Sequence, residues 1–340
     1  MDLVRAIGIC DKEEYKTGPC AKPELLKSFH TADYIAVLKK TEVSQKISEK
    51  DAKTYNIGSL SNPVFPEMFK RPATSVGSSL LAADLVANGG RAYSLGGGLH
   101  HGMTGYANGF CFLNDLAFAI NRLRDLGVQR IAYIDLDAHH CDGVAAAFPE
   151  DENLFVVSTH ERKRWPFTGG LDENIPDRFL NVCLPSHCND TEFMFVFEKL
   201  VLPLLDRFQP EALIIQGGAD ALVEDPMSRL CLSNQVIFKI LSILLGFSQR
   251  VLLTGGGGYN PWTVARLWTG FWALISGRTI PEVLPNQATE LLRSLSWQRQ
   301  TKPKEIMLNS IYDVPMEGQL RDEVSDIVKK VSSLHKFKHS

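Results

Sequence analysis

The stretch YIDLDAHHCDG, Tyr133–Gly143, decides how this chain is read. It crowds three aspartates and two adjacent histidines into one short run, between the apolar lead-in RIA and the small, apolar VAAAF. RIAYID is a short apolar run of strand length, and alternate residues of a strand point the same way. Asp135, Asp137 and His139 can therefore face one side of the strand's end.

Working outward, similar runs recur: RAYSL (91–95), LFVVS (154–158), FLNVCL (179–184), ALIIQ (212–216) and VLLT (251–254). Segments with helical spacing lie between many of them. One spans 78–88. A second starts at Asn114, a good N-cap, and puts Leu116, Ile120, Leu123 and Leu126 on one face before Gly127. Two more span 191–208 and 233–246. Near-continuous apolar strands alternating with helices predict an α/β fold: a doubly wound, mostly parallel sheet with helices on both faces. No repeat or low-complexity linker divides residues 1–340, so one domain is expected, with the more polar stretch 286–340 as a surface tail.

The strand ends carry the chemistry. RAYSL runs into GGGLHHG, RIAYID into LDAHHCDG, LFVVS into THE, ALIIQ into GGADAL and VLLT into GGGGYNP. In open parallel sheets ligands bind beyond the carboxyl ends of the strands. Neither glycine cluster fits GxGxxG and GxxxxGK[ST] is absent, so a phosphate cradle is a weak reading.

Composition narrows the class. The formal net charge is −3 and no lysine or arginine block forms a nucleic-acid stripe, so no direct nucleic-acid partner is expected. The seven cysteines are scattered and never spaced as CxxC, which argues against a disulfide framework and for a reducing compartment. The N-terminus has no signal-peptide core. The longest apolar run, 236–247, is too short for a bilayer, so a cytoplasmic protein with no membrane partner is expected.

Asp137 and His139 make a fair start on a divalent metal site, and Asp220 in QGGAD lies at another strand end. Asp/His/Asp with an open position suits zinc or ferrous iron, because water or substrate can take the remaining position. A single Asp here reads as well as a cap or turn residue; the set does not. The tandem His100-His101 can supply metal ligands, general bases or packing, and Asp135 and Asp142 are available to hold those rings in a chosen tautomer. Tyr259, after four glycines, can donate its phenol to a developing oxyanion.

GGGLHHG, NGFCFLND, YIDLDAHHCDG, GGADAL, DPM and GGGGYNPW, in that order, resemble the histone deacetylase superfamily, with the flavour of the bacterial acetoin-utilisation-type and class I members. The likeness runs from about His30 to Pro285. It implies the fold shared with arginase and a metal-dependent hydrolysis of acetyl-lysine or a related acylated amine to acetate and free amine. By that resemblance Asp137, His139 and Asp220 bind the metal. His101 acts as general base toward a metal-activated water, with His100 as its electrostatic companion. Asp142 partners His101, Asp135 partners His100, and Tyr259 stabilises the oxyanion. Gly109, Phe110, Trp165 and Met227 belong to the substrate channel, and a structural potassium ion takes backbone carbonyls of Asp135, Asp137, His139 and Ser158. His140 is left with a structural hydrogen-bonding role.

The chain also departs from the pattern. Members usually have a strand and a loop before FHTADYI, where this chain has MDLVRAIGICDKEEYKTGPC. That leaves a wider pocket, or a wall completed by a partner chain in a homo-oligomer. Ser61 stands where class I members carry a substrate-gripping aspartate, and Trp165 where phenylalanine is commoner. Met227 occupies the place of the glutamate of polyamine-specific relatives, and Leu222 that of the aspartate of a two-metal site. The alternatives to a deacylase are a small-metabolite amidohydrolase and a non-catalytic binding protein that keeps the fold.

Overall fold

The computed structural model describes residues 1–299 and 302–336. Among these residues one sheet is built from β1 (Gly90–Ser94), β2 (Ile131–Asp135), β3 (Leu154–Glu161), β4 (Phe179–Leu184), β5 (Ala212–Gln216) and β6 (Arg250–Thr254). The spatial order is β1-β6-β5-β2-β3-β4, and every pairing is parallel. The chain starts at one edge, reaches the middle with β2, and moves out through β3 to β4. It then returns to lay β5 and β6 between β2 and β1.

Strand periodicity sorts the apolar residues onto two faces. Ile131, Tyr133, Val156, Ile214 and Leu252 pack with Val86, Leu116 and Ile120 of the helices Lys70–Val86 and Asp115–Asp125. Their alternates Ala132, Ile134, Val157, Ile215 and Leu253 pack on the other face with Val201, Ile237, Leu241, Leu267 and Phe271. β2, β3, β4 and β5 are buried throughout, which is why they read as near-continuous apolar runs, whereas the edge strand β1 is exposed at Gly90 and Arg91. The doubly wound architecture is as the sequence predicts, and the sheet is wholly parallel.

Local chemistry sets the element ends. Asn114 caps its helix, its side-chain oxygen accepting the Ala117 N–H at 3.0 Å. The helical segment 190–208 contains a π turn at Phe197–Val201, just before Pro203, which has no N–H to give the ladder. Two elements differ from expectation. The first cross-sheet helix begins at Lys70 rather than residue 78, because its early buried positions, Pro72 and Ala73, are small and give little apolar signal. THE, expected as a loop, continues β3 to Glu161 with all three residues buried.

The stretch from residue 286, expected as a surface tail, contributes to the main core. Ala288, Leu292, Met307 and Ile311 are buried in it, as are Val324, Ile327, Val328 and Val331 of the helix Asp322–Leu334. The buried Arg266 ties this stretch down further, donating from Nε to the Ser310 carbonyl at 2.7 Å and pairing with Asp313. High average polarity masked a narrow apolar stripe at helical spacing. No helix among the described residues is long and apolar enough to cross a membrane.

Candidate active site

β2 sits where the chain's direction of winding reverses, with β5 on one side and β3 on the other. Loops leaving β1, β2, β5 and β6 line a cavity of about 240 Å³ whose walls include His100, His101, Gly109, Phe110, Asp137, His139, Asp220 and Tyr259. The structure thus collects residues that the sequence scatters over four strand ends.

Asp137, His139 and Asp220 are buried, and each offers a ligand atom within 4.8 Å of the others. His139 Nδ1 lies 3.0 Å from both Asp137 Oδ1 and Asp220 Oδ2. Each carboxylate is also fixed from behind. Gln216 Nε2 and the Gly257 N–H both donate to Asp137 Oδ2 at 3.0 Å, and the Ala138 N–H donates to Asp220 Oδ1 at 2.9 Å. A Cβ at Gly218 or Gly257 would collide with these carboxylates, so the glycines are what lets backbone close around them. Burial and Asp137 push Asp220 up to about 6. Against the pull of burial, Asp220 and Asp137 hold the His139 ring up to about 11. Two apposed buried carboxylates create a field that calls for a positive charge, and a divalent ion answers it. The donor set fits such an ion.

The histidine pair is split by its partners. His100 Nδ1 lies 2.8 Å from Asp135 Oδ2, and the same oxygen accepts the Tyr133 hydroxyl. His101 Nδ1 lies 2.6 Å from Asp142 Oδ1, while Asn108 Nδ2 donates to the other carboxylate oxygen at 2.8 Å. Burial lowers His100, but the Asp135 and Asp137 carboxylates outweigh it and hold the ring up to about 9. Burial and the neighbouring His100 charge push His101 well below the usual histidine range. These opposite shifts favour the cationic form of His100 and the neutral form of His101. Two adjacent, like residues are thus set in opposite electrostatic environments.

Tyr259 faces Phe110, with ring centroids 5.8 Å apart, and burial raises its phenol above the usual range, so it remains a proton donor. Trp165 sets its ring edge-on to His101 at 4.6 Å between centroids. Gly109 (φ +51) has no room for a Cβ beside Trp165 and His101. The cavity lining does not include Trp165 or Met227; Met227 lies on the neighbouring loop, its N–H donating to Asp225 Oδ1. The Ser61 carbonyl accepts the Phe110 N–H at 3.1 Å, which puts Ser61 next to the rim. Sheet register sets Asp135 beside Ser158. His140 stands apart from this group, its Nδ1 2.8 Å from Thr168 Oγ1, and it packs against His160.

Sequence reasoning missed four supporting residues: Gln216 and Asn108 as above, Asp225 and Asp115. Asp225 Oδ2 accepts the N–H groups of Tyr259 and Asn260 at 2.6 and 3.1 Å. Asp115 accepts those of Gly98 and Leu99, fixing the loop that carries both histidines. A polar residue ending an otherwise apolar strand was the available signal for Gln216; Asn108, Asp115 and Asp225 lie in the quoted motifs NGFCFLND and DPM, but nothing in those motifs marks their supporting contacts.

Fold and site together define an α/β protein with a buried Asp-His-Asp metal-type group beside a carboxylate-paired histidine dyad. A family model described as histone deacetylase domain matches residues 1–275. The Acetoin utilization protein AcuC of Bacillus subtilis (strain 168) is 32% identical over 313 residues, covering 88% of this chain and 79% of that protein. Histone deacetylase 8 of Xenopus tropicalis is 32% identical over 292 residues, covering 84% and 79%. A crystal structure of an HDAC homolog complexed with SAHA superposes with a TM-score of 0.92 at 38% identity, covering 97% of this chain and 92% of that one. The HDAC homolog from Aquifex aeolicus gives 0.91 at 37% identity over the same shares. This chain belongs to the histone deacetylase family.

Proposed function

We propose that the protein is a metal-dependent deacylase that hydrolyses the amide of an acyl-lysine or a related acylated amine, consuming one water and yielding a carboxylate and a free amine. The observation that carries the reading is geometric: His101, paired with Asp142, and His100, paired with Asp135, open on the same cavity as Asp137, His139, Asp220 and Tyr259. Zinc or ferrous iron held by Asp137, His139 and Asp220 would polarise the acyl carbonyl and acidify a bound water.

The chain's own groups supply the rest. His101, with Nδ1 donating to Asp142, has Nε2 free to take the water's proton and later deliver it to the departing nitrogen. Its low basicity suits it to release that proton again. His100 stays protonated between Asp135 and Asp137 and contributes fixed positive charge. The Tyr259 hydroxyl donates to the oxyanion, and Phe110 and Gly109 enclose the acyl-bearing chain, with Trp165 packed behind Gly109 against His101. No cysteine is needed. A monovalent cation, potassium in this reading, would rest on the backbone carbonyls of Asp135, Asp137, His139 and Ser158.

Incubation of an acetyl-lysine peptide with zinc- or iron-reconstituted protein tests the reading. Equal amounts of acetate and free lysine side chain are expected, dependent on the metal. Tight metal binding without amide cleavage of any acylated amine would leave a binding protein.

A further inference from the structure

Between the carboxyl ends of β3 and β4, on the same end of the sheet as the candidate site, lies a second feature. There Arg162, Lys163, Arg164, Arg229 and Arg321 line a recess of about 530 Å³, together with the acids Glu161 and Glu323. Arg164 pairs with Glu161, Arg162 with Glu323 and Arg321 with Glu192. Cations remain in excess there, on a chain whose net charge is −3. Lys163 and Arg229 are exposed, and among the described residues neither side chain has an ion pair or hydrogen bond. Lys163 sits at φ +60, in the left-handed region that lysine rarely adopts.

The recess is tied to the candidate active site through three short links. The Glu161 N–H donates to the carbonyl of Ala138, between Asp137 and His139, at 2.9 Å. Glu161 Oε2 accepts from Arg164 Nε at 2.6 Å and from the Arg229 N–H at 2.9 Å. Ser228, beside Arg229, donates its hydroxyl to the Asp220 carbonyl at 2.6 Å. Arg164 is followed by Trp165, the ring set against His101.

We propose that this recess is an anion subsite that receives a carboxylate carried by the substrate, so that the preferred substrates are acyl-lysines flanked by acidic residues. Acylated polyamines, which are polycations, are disfavoured by the same charges. The inference rests on the deacylase reading. Lys163 and Arg229 are the free partners for the incoming carboxylate, and Glu161 holds the wall in register with the metal-type group.

The test compares three acetyl-lysine peptides, flanked by Glu, Ala or Lys, on the metal-loaded wild type and on a Lys163→Ala/Arg229→Ala double variant. For two rim charges the Glu peptide is expected to exceed the Ala peptide about three- to tenfold in kcat/KM, through KM, with the Lys peptide lowest. The order should collapse in the double variant and weaken at high salt, while hydrolysis of the Ala peptide is retained. Equal kcat/KM for the three peptides, or a preference that survives in the double variant, would overturn the subsite. If no peptide is cleaved, the deacylase reading fails, and fluorescence anisotropy of labelled Glu and Lys peptides still decides: binding of the Glu peptide that is lost in the double variant supports the recess, and equal binding overturns it.

Discussion

Asp225 holds Tyr259 by its backbone: one carboxylate oxygen accepts the Tyr259 N–H at 2.6 Å and the Asn260 N–H at 3.1 Å. The other takes the Met227 N–H, so a single buried side chain fixes the tyrosine loop relative to the loop after β5. Asp225→Ala should therefore lower kcat by about ten- to a hundredfold, in line with supporting residues elsewhere, with KM changed little. Metal content is the control; a loss of metal in proportion to activity would show that Asp225 serves the ligands instead.

Tyr259→Phe removes one hydroxyl and leaves the ring packing with Phe110 in place. Loss of one oxyanion donor should reduce kcat by about a hundred- to a thousandfold. Metal stoichiometry and melting temperature should match the wild type, and unchanged turnover would reject the assignment.

Metal binding has a readout apart from catalysis. Because Asp137 and Asp220 are buried face to face across His139, a divalent ion should raise the melting temperature of metal-stripped protein in a concentration-dependent way. Asp220→Ala should abolish that response. A variant that still binds one equivalent of zinc or iron with wild-type affinity would contradict the ligand set.

Acid sensitivity follows from His30. Its Nδ1 donates to the Met103 and Thr104 carbonyls and its Nε2 accepts the Asn114 N–H at 3.1 Å, so the ring is folded in as a neutral group. Burial lowers it to about 4, as it does His335, and His160 to about 3. The unfolded chain binds these protons more readily, near an ordinary pKa of about 6.5. Stability should hold above that pH and fall as pH drops toward 4, by on the order of 3 kcal/mol for His30 alone. Urea unfolding between pH 7 and pH 5 should be less pH-dependent in His30→Gln, and an identical slope would contradict this.

Leu292 tests the C-terminal stretch. It is fully buried in the main core, and Trp262 Nε1 donates to its carbonyl at 2.8 Å. Leu292→Ala should destabilise the whole domain by about 2–5 kcal/mol. A change within experimental error would return this stretch to the surface.

The fold was legible because the central strands β2, β3 and β5 are near-continuous apolar runs buried on both faces, with polar residues gathered at their carboxyl ends. The site was legible where chemistry is concentrated, as in Tyr133–Gly143 and His100-His101. Asp225 and Asn108 escaped because their partners lie 34 residues away and their side chains differ in no local way from turn residues. Asp115 reads as an ordinary first-turn acid although it secures the histidine loop. The C-terminal stripe escaped because its average composition is polar.

The central claim is that His101 works as the neutral base of a metal-dependent deacylase. Its most direct test is acetate release from an acetyl-lysine peptide by metal-loaded wild type and metal-loaded His101→Ala, measured side by side. Metal-dependent release by the wild type, with loss of about a hundred- to ten-thousandfold in the variant at equal metal content, is the predicted result. Equal rates for the two proteins, or no release by fully loaded wild type, would contradict it.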